Sequence, residues 1–171
     1  RELRRLGHEV TLLEREGHLG GMMRYGIPRF RLPAHVVDQE VDLVVRSGVK
    51  VFTNTNVDAA AMEDLIREHD AVCITAGTMQ PHTLAVPGVP AEAAISGLDF
   101  MARYNDGEIT SLKGDVVVVG GGFTAVDCSR SSARAARRLL GEGESVSIMY
   151  RRTEQYMAAH QDEVEEILRE Q

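Results

Sequence analysis

The residues whose types and spacing point to chemistry lie in one stretch, 115–152. Four consecutive valines, Val116–Val119, predict a strand that is buried on both faces, as in a parallel sheet. The strand runs into Gly120, Gly122 and Ala125, which form the glycine pattern G-x-G-x-x-A of dinucleotide-binding turns. The first glycine permits a tight turn, and the second lets the backbone come close to a pyrophosphate. The helix that follows offers free N–H groups and a positive dipole end to phosphates. The stretch therefore predicts a dinucleotide-binding unit.

The next strand, 146–150, ends on Arg151 and Arg152 rather than on an acid. The residue at this place in a dinucleotide-binding unit meets the adenosine ribose. An acid favours the free 2′-hydroxyl of NAD, whereas an arginine favours the 2′-phosphate of NADP. The spacing from Gly120 is longer than is usual for the acid, but it falls where the strand ends. The sequence thus favours NADP(H) over NAD(H); the alternative is that both arginines are ordinary surface charges.

A second candidate for a ribose-binding residue lies near the start of the chain, where the β-rich segment 8–14 ends on Glu14. Such an acid binds a ribose about 20 residues after a glycine fingerprint. Counting back by that spacing leads to a point before Arg1. We therefore expect the chain to enter a first nucleotide-binding unit partway through its first helix, and both ends of the chain to be cut. The alternative is that Glu14 is an exposed carboxylate at a strand end.

The glycine-dense loop 17–33 is the third candidate. Long irregular loops in compact domains tend to be functional. Gly20 and Gly21 could let the backbone approach a ligand, and one of the loop arginines could hold a phosphate with two nitrogens. These arginines are Arg24, Arg29 and Arg31. A flexible, solvated connection is the alternative that composition leaves open.

The remaining pattern is that of alternating strands and helices. It predicts a helix from Pro33 to about Ser47, a strand over 49–57, a helix over 58–69 capped by Asp58, a buried strand over 70–77 with Cys73 in its core, and a short helix over 98–104. The helix after the glycine turn is expected to reach about Leu140, with Arg130, Arg134, Arg137 and Arg138 largely on a solvated face. Asp127, in its first turn, is expected to have a structural role.

The prolines between 81 and 90 suggest a connection between two units. The domain prediction is therefore a first unit over 1–84, a connection over 85–94 and a second unit over 95–171.

Composition excludes several classes of function. The net charge is −7, which argues against a nucleic-acid partner. No apolar run approaches the roughly 18 residues that suggest a membrane span. The two cysteines lie far apart and form no C-x-x-C, and the histidines show no metal-ligand spacing, so we assign no metal and no dithiol centre. This cysteine usage is typical of a reducing cytoplasm. No acid–base or nucleophilic residue set is indicated, so we name no catalytic residue.

Taken together, the motifs resemble a known family. They closely resemble the small subunit of NADPH-dependent glutamate synthase. They also resemble its relatives, including the flavin-binding part of dihydropyrimidine dehydrogenase and NADPH:ferredoxin-type reductase subunits. The resemblance covers nearly the whole chain, in the same order. It rests on the segments 20–33, 75–77, 119–128 and 150–154. It implies an α/β, Rossmann-like fold with two dinucleotide-binding units, the NADPH unit inserted into the FAD unit, here incomplete at both ends.

The resemblance also implies roles for individual residues. On the FAD side, Glu14 would hold the ribose, and Val57 would meet the adenine through its backbone. The diphosphate and flavin ring would lie along Gly20, Gly21 and Arg24, and Ala76 and Gly77 would line the FAD near the crossover between the units. On the NADPH side, the pyrophosphate would lie on Gly120, Gly122, Thr124 and Ala125, and the 2′-phosphate on Arg151 and Arg152. Phe123 stands where relatives often carry Asn or Asp.

Such proteins pass hydride from NADPH to FAD and then electrons to iron–sulfur clusters, which we expect outside this chain, and to a larger partner subunit. The chain lacks the glycine loop of the FAD unit, the cluster-binding cysteines and the C-terminal return of the FAD unit. The alternative hypothesis is therefore a non-catalytic nucleotide-binding or docking fragment that acts only within a larger assembly. A thioredoxin-reductase-like enzyme is disfavoured because the C-x-x-C motif is absent.

Overall fold

The computed structural model describes residues 1–78, 80–81, 86–90, 93–137, 145–159 and 161–169. The chain divides into two compact units. The first comprises Arg1–Arg24 and Leu32–Met79, and the second comprises Tyr25–Arg31 and Gln80–Gln171. The predicted boundaries at 84 and 94 stay a prediction, since part of the proline-rich connection lies outside the described residues.

The first unit is built around two short parallel strands. Its elements are α1 (Glu2–Arg5), β1 (Thr11–Leu13), α2 (Gly21–Tyr25, whose last residue is grouped with the second unit), α3 (Ala34–Arg46), β2 (Lys50–Phe52) and α4 (Ala59–Glu68). Strand β1 pairs with β2 in parallel, with Thr11 opposite Lys50. Helix α4 begins as the sequence predicts, because the Asp58 side chain accepts a hydrogen bond from the Ala61 N–H at 2.9 Å. Pro33 precedes α3 as its N-cap residue.

The prediction of a buried strand over 70–77 is wrong. This segment has no regular structure, its residues from 71 to 78 are exposed, and Ile74 is 72% exposed. Cys73 is likewise exposed and is not a core residue. A strand requires a neighbour to complete its backbone hydrogen bonds. Within the described residues β1 pairs only with β2, so nothing pairs with this apolar segment.

The second unit contains the glycine turn. Its elements are α5 (Gly97–Asn105), β3 (Val116–Val119), α6 (Phe123–Arg137), β4 (Val146–Met149) and α7 (Gln161–Arg169). Strands β3 and β4 are parallel, and the register runs from Val116 opposite Val146 to Val119 opposite Met149. At their amino ends, Asp115 Oδ1 accepts hydrogen bonds from the Ser145 hydroxyl at 2.7 Å and the Ser145 N–H at 3.0 Å. The two strands therefore start together and end together.

The prediction that β3 is buried on both faces is also wrong. Two clusters pack on the sheet: Phe100, Met101 and Cys128 contact Val118, and Val126, Ala159 and Ile167 contact Ile148. Val117 and Val119 point the other way and are 54% and 55% exposed. The four valines alternate between half-buried and exposed, because the described helices cover only one face of the sheet.

None of the helices within the described ranges is both long enough and apolar enough to cross a membrane.

Candidate dinucleotide-binding site

The glycine turn begins directly at the end of β3. The Gly120 N–H donates a hydrogen bond to the Met149 carbonyl oxygen at 3.0 Å, which ties the turn to the last residue of β4. Gly120 has a φ of 151°, and a Cβ added to it would lie 3.1 Å from the Cβ of Ala125. Both observations require glycine at position 120 and a small residue at position 125, as the sequence pattern predicts.

The middle glycine of the turn, Gly121, was missed by sequence reasoning. A Cβ added to Gly121 would lie 2.6 Å from two ring carbons of Tyr150. Its carbonyl oxygen accepts hydrogen bonds from the N–H groups of Ala158 and Ala159, at 3.0 and 3.3 Å. The glycine pattern leaves this position unspecified, and its partner lies 29 positions further on. Gly121 is therefore fixed by packing within the protein.

Gly122 contrasts with both neighbours. A Cβ added there would meet no heavy atom within 4 Å, and its backbone is not in the positive-φ region. Nothing in the described chain requires glycine at this position. Helix α6 begins one residue later with Phe123, whose side chain is 49% exposed, and with Thr124, which is also exposed. An open backbone at a helix N-terminus is the geometry that a pyrophosphate requires.

The arginine pair follows β4 at the same edge of the sheet as the turn. Arg151 and Arg152 are both exposed. Within the described residues the Arg151 side chain has no hydrogen bond, ion pair or ring contact, and the Arg152 side chain makes these interactions only with Tyr150. The Arg152 Nε donates a hydrogen bond to the Tyr150 hydroxyl at 3.0 Å. Arg152, Thr153 and Tyr156 line an open cleft of about 330 Å³.

The structure places the glycine-loop residues of the FAD prediction in the first unit. Gly20 has a φ of 125°, and a Cβ there would lie 2.8 Å from Cγ1 of Val37. Gly21, at the start of α2, has a φ of 50°, and a Cβ added there would meet no heavy atom within 4 Å. Arg24 is tied to the protein: its Nε donates to the Leu19 carbonyl oxygen at 2.6 Å, and its guanidinium is paired with Asp38. The contacts of Arg24 thus hold the glycine turn in place.

Glu14 follows the end of β1 and is half-buried. Its backbone continues the pairing with the second strand, since its N–H donates to the Phe52 carbonyl oxygen at 2.9 Å. One carboxylate oxygen, Oε1, accepts a hydrogen bond from the Glu16 N–H at 2.9 Å. Val57 is half-buried in the same unit, whereas Ala76 and Gly77 lie in the exposed segment after position 70. The roles of these residues toward FAD stay a prediction.

Sequence reasoning also missed an ion network on α6. Arg31 pairs with Asp127, with Nε to Oδ1 at 2.5 Å, and with both carboxylate oxygens of Glu163. Arg130 is 7% exposed and pairs with Glu166 at 2.5 Å, so the prediction of a solvated face is wrong for this arginine. The side chains of Arg137 and Arg138 lie outside the described part of the structure. Burial raises the pKa of the Asp127 carboxyl, and the Arg31 guanidinium opposes that rise. Arg31 is therefore engaged with carboxylates, and Asp127 has the structural contact that the sequence predicts. The prediction that Asp127 lies in the first turn of α6 is wrong, because the helix begins at Phe123 and its first turn carries no acid.

Phe30 completes this network from the segment Tyr25–Arg31. Its ring lies under two guanidinium groups, with the Cζ of Arg134 4.0 Å and that of Arg130 4.6 Å from the ring centroid. The Asn105 side chain donates hydrogen bonds to the carbonyl oxygens of Tyr25 and Ile27, at 3.1 and 2.9 Å. These contacts explain why this segment is grouped with the second unit. Cation–ring pairs between remote positions leave no local pattern in a sequence.

No cluster of three or more His, Cys, Asp or Glu side chains suited to a metal ion occurs in the part of the chain that the structure describes.

Comparison with known proteins decides the family. The family model described as "Pyridine nucleotide-disulphide oxidoreductase" matches residues 1–171. The chain belongs to this family. A solved structure of a mutant of FprA from Mycobacterium tuberculosis is similar, with a TM-score of 0.70 over 94% of this chain and 40% of that chain, at 19% identity. The family match and this structural similarity confirm the predicted α/β, Rossmann-like fold class.

Curated relatives agree with the predicted resemblance to glutamate synthase small subunits. The glutamate synthase [NADPH] small chain of Azospirillum brasilense is 32% identical over 95% of this chain and 35% of its own length. The NADP(+)-dependent formate dehydrogenase subunit beta of Moorella thermoacetica is 36% identical over 92% of this chain and 22% of its own length. A protein of Escherichia coli K12 with the provisional name oxidoreductase YgfK is 38% identical over 97% of this chain and 16% of its own length. The chain thus spans about a third or less of the length of each of these relatives.

Proposed function

We propose that this chain is the nucleotide-binding part of an NADPH-dependent flavin oxidoreductase of the glutamate-synthase small-subunit type. One observation supports this most directly. The hydrogen bond from Gly120 to Met149 joins the glycine turn to the end of the strand that precedes Arg151 and Arg152. The pyrophosphate at the 5′ position and the phosphate at the 2′ position of the same adenosine ribose would then meet the same edge of the β3–β4 sheet.

The residues present fit NADP(H). The open backbone at Gly122 and the first N–H groups of α6 would hold the pyrophosphate, with Thr124 and Ala125 in the first turn. Arg151 has no partner among the described residues, and Arg152 keeps its two terminal nitrogens for a ligand, since its described hydrogen bond uses only Nε. A guanidinium with two such nitrogens suits a phosphate.

The first unit offers matching features for FAD. Glu14 uses one carboxylate oxygen for a backbone N–H, and the other has no described hydrogen bond, so it could accept one from a ribose hydroxyl. Gly21 offers an open backbone at the start of α2. We infer that Gly20, Gly21 and Arg24 lie along the flavin's diphosphate and ring, that Val57 meets the adenine, and that Ala76 and Gly77 line the same cofactor. The two cofactors supply hydride transfer; the protein binds and orients them.

In this proposal the electrons pass from the flavin to acceptors outside this chain. The names of two relatives, a small chain and a subunit beta, describe parts of multi-subunit enzymes. We infer that the electrons pass to iron–sulfur clusters outside this chain and to a larger electron-accepting subunit.

Isothermal titration of the chain with NADPH and with NADH tests the cofactor assignment. We expect NADPH to bind more tightly. Replacing Arg151 and Arg152 together with Ala should weaken NADPH binding by about tenfold or more and leave NADH binding nearly unchanged, because only NADPH offers a phosphate to these side chains. Arg103→Ala, an exposed arginine on α5, is the matched control. An unchanged preference in the double variant would contradict the 2′-phosphate assignment.

A visible absorption spectrum of the purified chain separates the two candidate functions. A flavin spectrum would support an oxidoreductase that holds both cofactors. A colourless protein that still binds NADPH would favour the second candidate, a nucleotide-binding fragment that acts within a larger assembly. The names of two relatives, a small chain and a subunit beta, describe parts of larger assemblies and favour this second candidate.

A further inference from the structure

Tyr150 stands between the two parts of the candidate NADPH site, and neither the glycine pattern nor the arginine pair includes it. It follows the last residue of β4 and precedes Arg151. Its ring packs against Gly121, whose added Cβ would lie 2.6 Å from two of the ring carbons. Its hydroxyl accepts a hydrogen bond from the Arg152 Nε at 3.0 Å. One side chain thus contacts both the phosphate-binding turn and the arginine that follows the strand.

The orientation of the Tyr150 hydroxyl is itself fixed. The hydroxyl donates a hydrogen bond to the Tyr156 carbonyl oxygen at 2.8 Å. With the hydrogen directed to this carbonyl, the oxygen lone pairs are available to the Arg152 Nε. The stretch that supplies the carbonyl is also bound to the turn, because the Ala158 N–H donates to the Gly121 carbonyl oxygen at 3.0 Å. The tyrosine is therefore held at both ends: its ring packs on Gly121, and its hydroxyl binds a stretch that is itself hydrogen-bonded to Gly121.

The guanidinium of Arg152 has no other described partner. Its Cζ lies 5.6 Å from the centroid of the Tyr150 ring. A long, exposed arginine side chain normally samples many rotamers, and binding a phosphate requires one of them. A hydrogen bond at Nε restricts that freedom before the ligand arrives, and it leaves both terminal nitrogens for the ligand.

We propose that Tyr150 is a positioning residue for the 2′-phosphate of NADPH, which holds Arg152 in a binding-competent orientation through its hydroxyl. This inference rests on the proposed function, since it assigns Arg152 to the 2′-phosphate. Tyr150 itself does not contact the phosphate. Its hydroxyl therefore affects the selectivity for NADPH over NADH, and its ring supports the glycine turn that both cofactors use.

The test is Tyr150→Phe, which keeps the ring against Gly121 and removes only the hydroxyl. We expect NADPH binding to weaken by about 3- to 10-fold, the value of one hydrogen bond, with NADH binding changed by less than about twofold. Adenosine 2′,5′-bisphosphate and 5′-AMP, titrated as redox-inactive probes, should show the same contrast. Tyr104→Phe removes a hydroxyl from another half-buried tyrosine of the same unit and serves as the matched control.

A double-mutant cycle shows whether Tyr150 acts through Arg152. In an Arg152→Ala background, Tyr150→Phe should have no further effect on NADPH binding, because the hydroxyl then has no guanidinium to hold. An equal loss in both backgrounds, or equal losses for NADPH and NADH, would overturn the proposal. If the unaltered chain shows no preference for NADPH, the proposed function fails. If the chain prefers NADPH and Tyr150→Phe retains that preference, only the positioning role fails.

Discussion

Arg31 and Glu163 lie 132 positions apart and form a two-pronged ion pair, in which Nη1 of the arginine lies 2.8 Å from Oε1 of the glutamate and Nη2 contacts Oε2. The same guanidinium pairs with Asp127 through Nε. Arg31 therefore uses three nitrogens on two carboxylates, one on α6 and one on α7. The sequence offers Arg31 as a candidate phosphate ligand, whereas the structure shows it engaged within the protein.

Replacing Arg31 should destabilise the fold. Arg31→Ala removes the guanidinium that the partly buried Asp127 and Glu163 share, and we expect the free energy of unfolding to fall by about 1–3 kcal/mol. Urea unfolding followed by circular dichroism measures this change. Arg29→Ala is the matched control, since Arg29 is exposed and has no described partner. Equal stabilities of the two variants would contradict the structural role of the network.

Two neighbouring glycines should respond differently to the same substitution. Gly121→Ala places a Cβ against the Tyr150 ring and should cost about 1–3 kcal/mol of stability. In Gly122→Ala the new Cβ meets no protein atom within 4 Å, so the free energy of unfolding of this variant should change by less than about 0.5 kcal/mol. Its dinucleotide affinity should nevertheless fall by about tenfold or more, because the new methyl group occupies space where a pyrophosphate approaches. Thermal unfolding and NADPH titration of both variants check this, and full affinity in Gly122→Ala would refute the phosphate assignment.

The two cysteines should differ in reactivity. Cys128 is buried, its Sγ lies 3.6 Å from the Gly97 carbonyl oxygen, and burial raises its pKa to about 12. Because the thiolate is the reactive form, Cys128 should resist a disulfide reagent in the folded chain, whereas the exposed Cys73 should react. We expect one titratable thiol per folded chain at about pH 8 and two in denaturant. Cys73→Ser should abolish the native reaction, and a fast native reaction in that variant would contradict the burial of Cys128.

The Asp115 carboxyl should have a pKa below its ordinary value. Hydrogen bonds from the Ser145 hydroxyl and, to a smaller extent, the Ser145 N–H hold the pKa of this carboxyl below its ordinary value of 3.8. Because the pKa of this carboxyl is lower in the folded than in the unfolded chain, the group stabilises the fold at pH values above 3.8, its ordinary pKa. This stabilisation is lost as the pH falls through the lowered pKa.

Carbon-13 NMR titration of the Asp115 carboxyl measures this effect. Ser145→Ala should move the pKa back toward 3.8, since the hydroxyl bond has the larger influence, and Ser145→Thr, which keeps a hydroxyl, should restore the low value. An identical pKa in the Ala variant would show that the hydroxyl does not determine it.

Local patterns predicted much of this fold. The Asp58 cap, the glycine turn after β3 and the arginines after β4 depend on residues close together in the chain, and the structure contains each of them. Reliance on local patterns also explains why the prediction for segment 70–77 is wrong. Its apolar residues indicate a strand, but a strand forms only where another strand supplies backbone partners, and no local pattern reports whether one is present.

By itself, the sequence determined the family, the α/β fold class and the position of the glycine turn, because these depend on motifs whose residues are adjacent or regularly spaced. Only the tertiary structure decided that Arg130 is buried, that Arg31 binds carboxylates, and that Tyr150 packs on Gly121. Each of these contacts joins residues from different elements, and the free energy that fixes them comes from burial and pairing across the fold. Contacts between residues that are far apart in the sequence but close in space therefore decide which arginines stabilise the fold and which are available to a ligand.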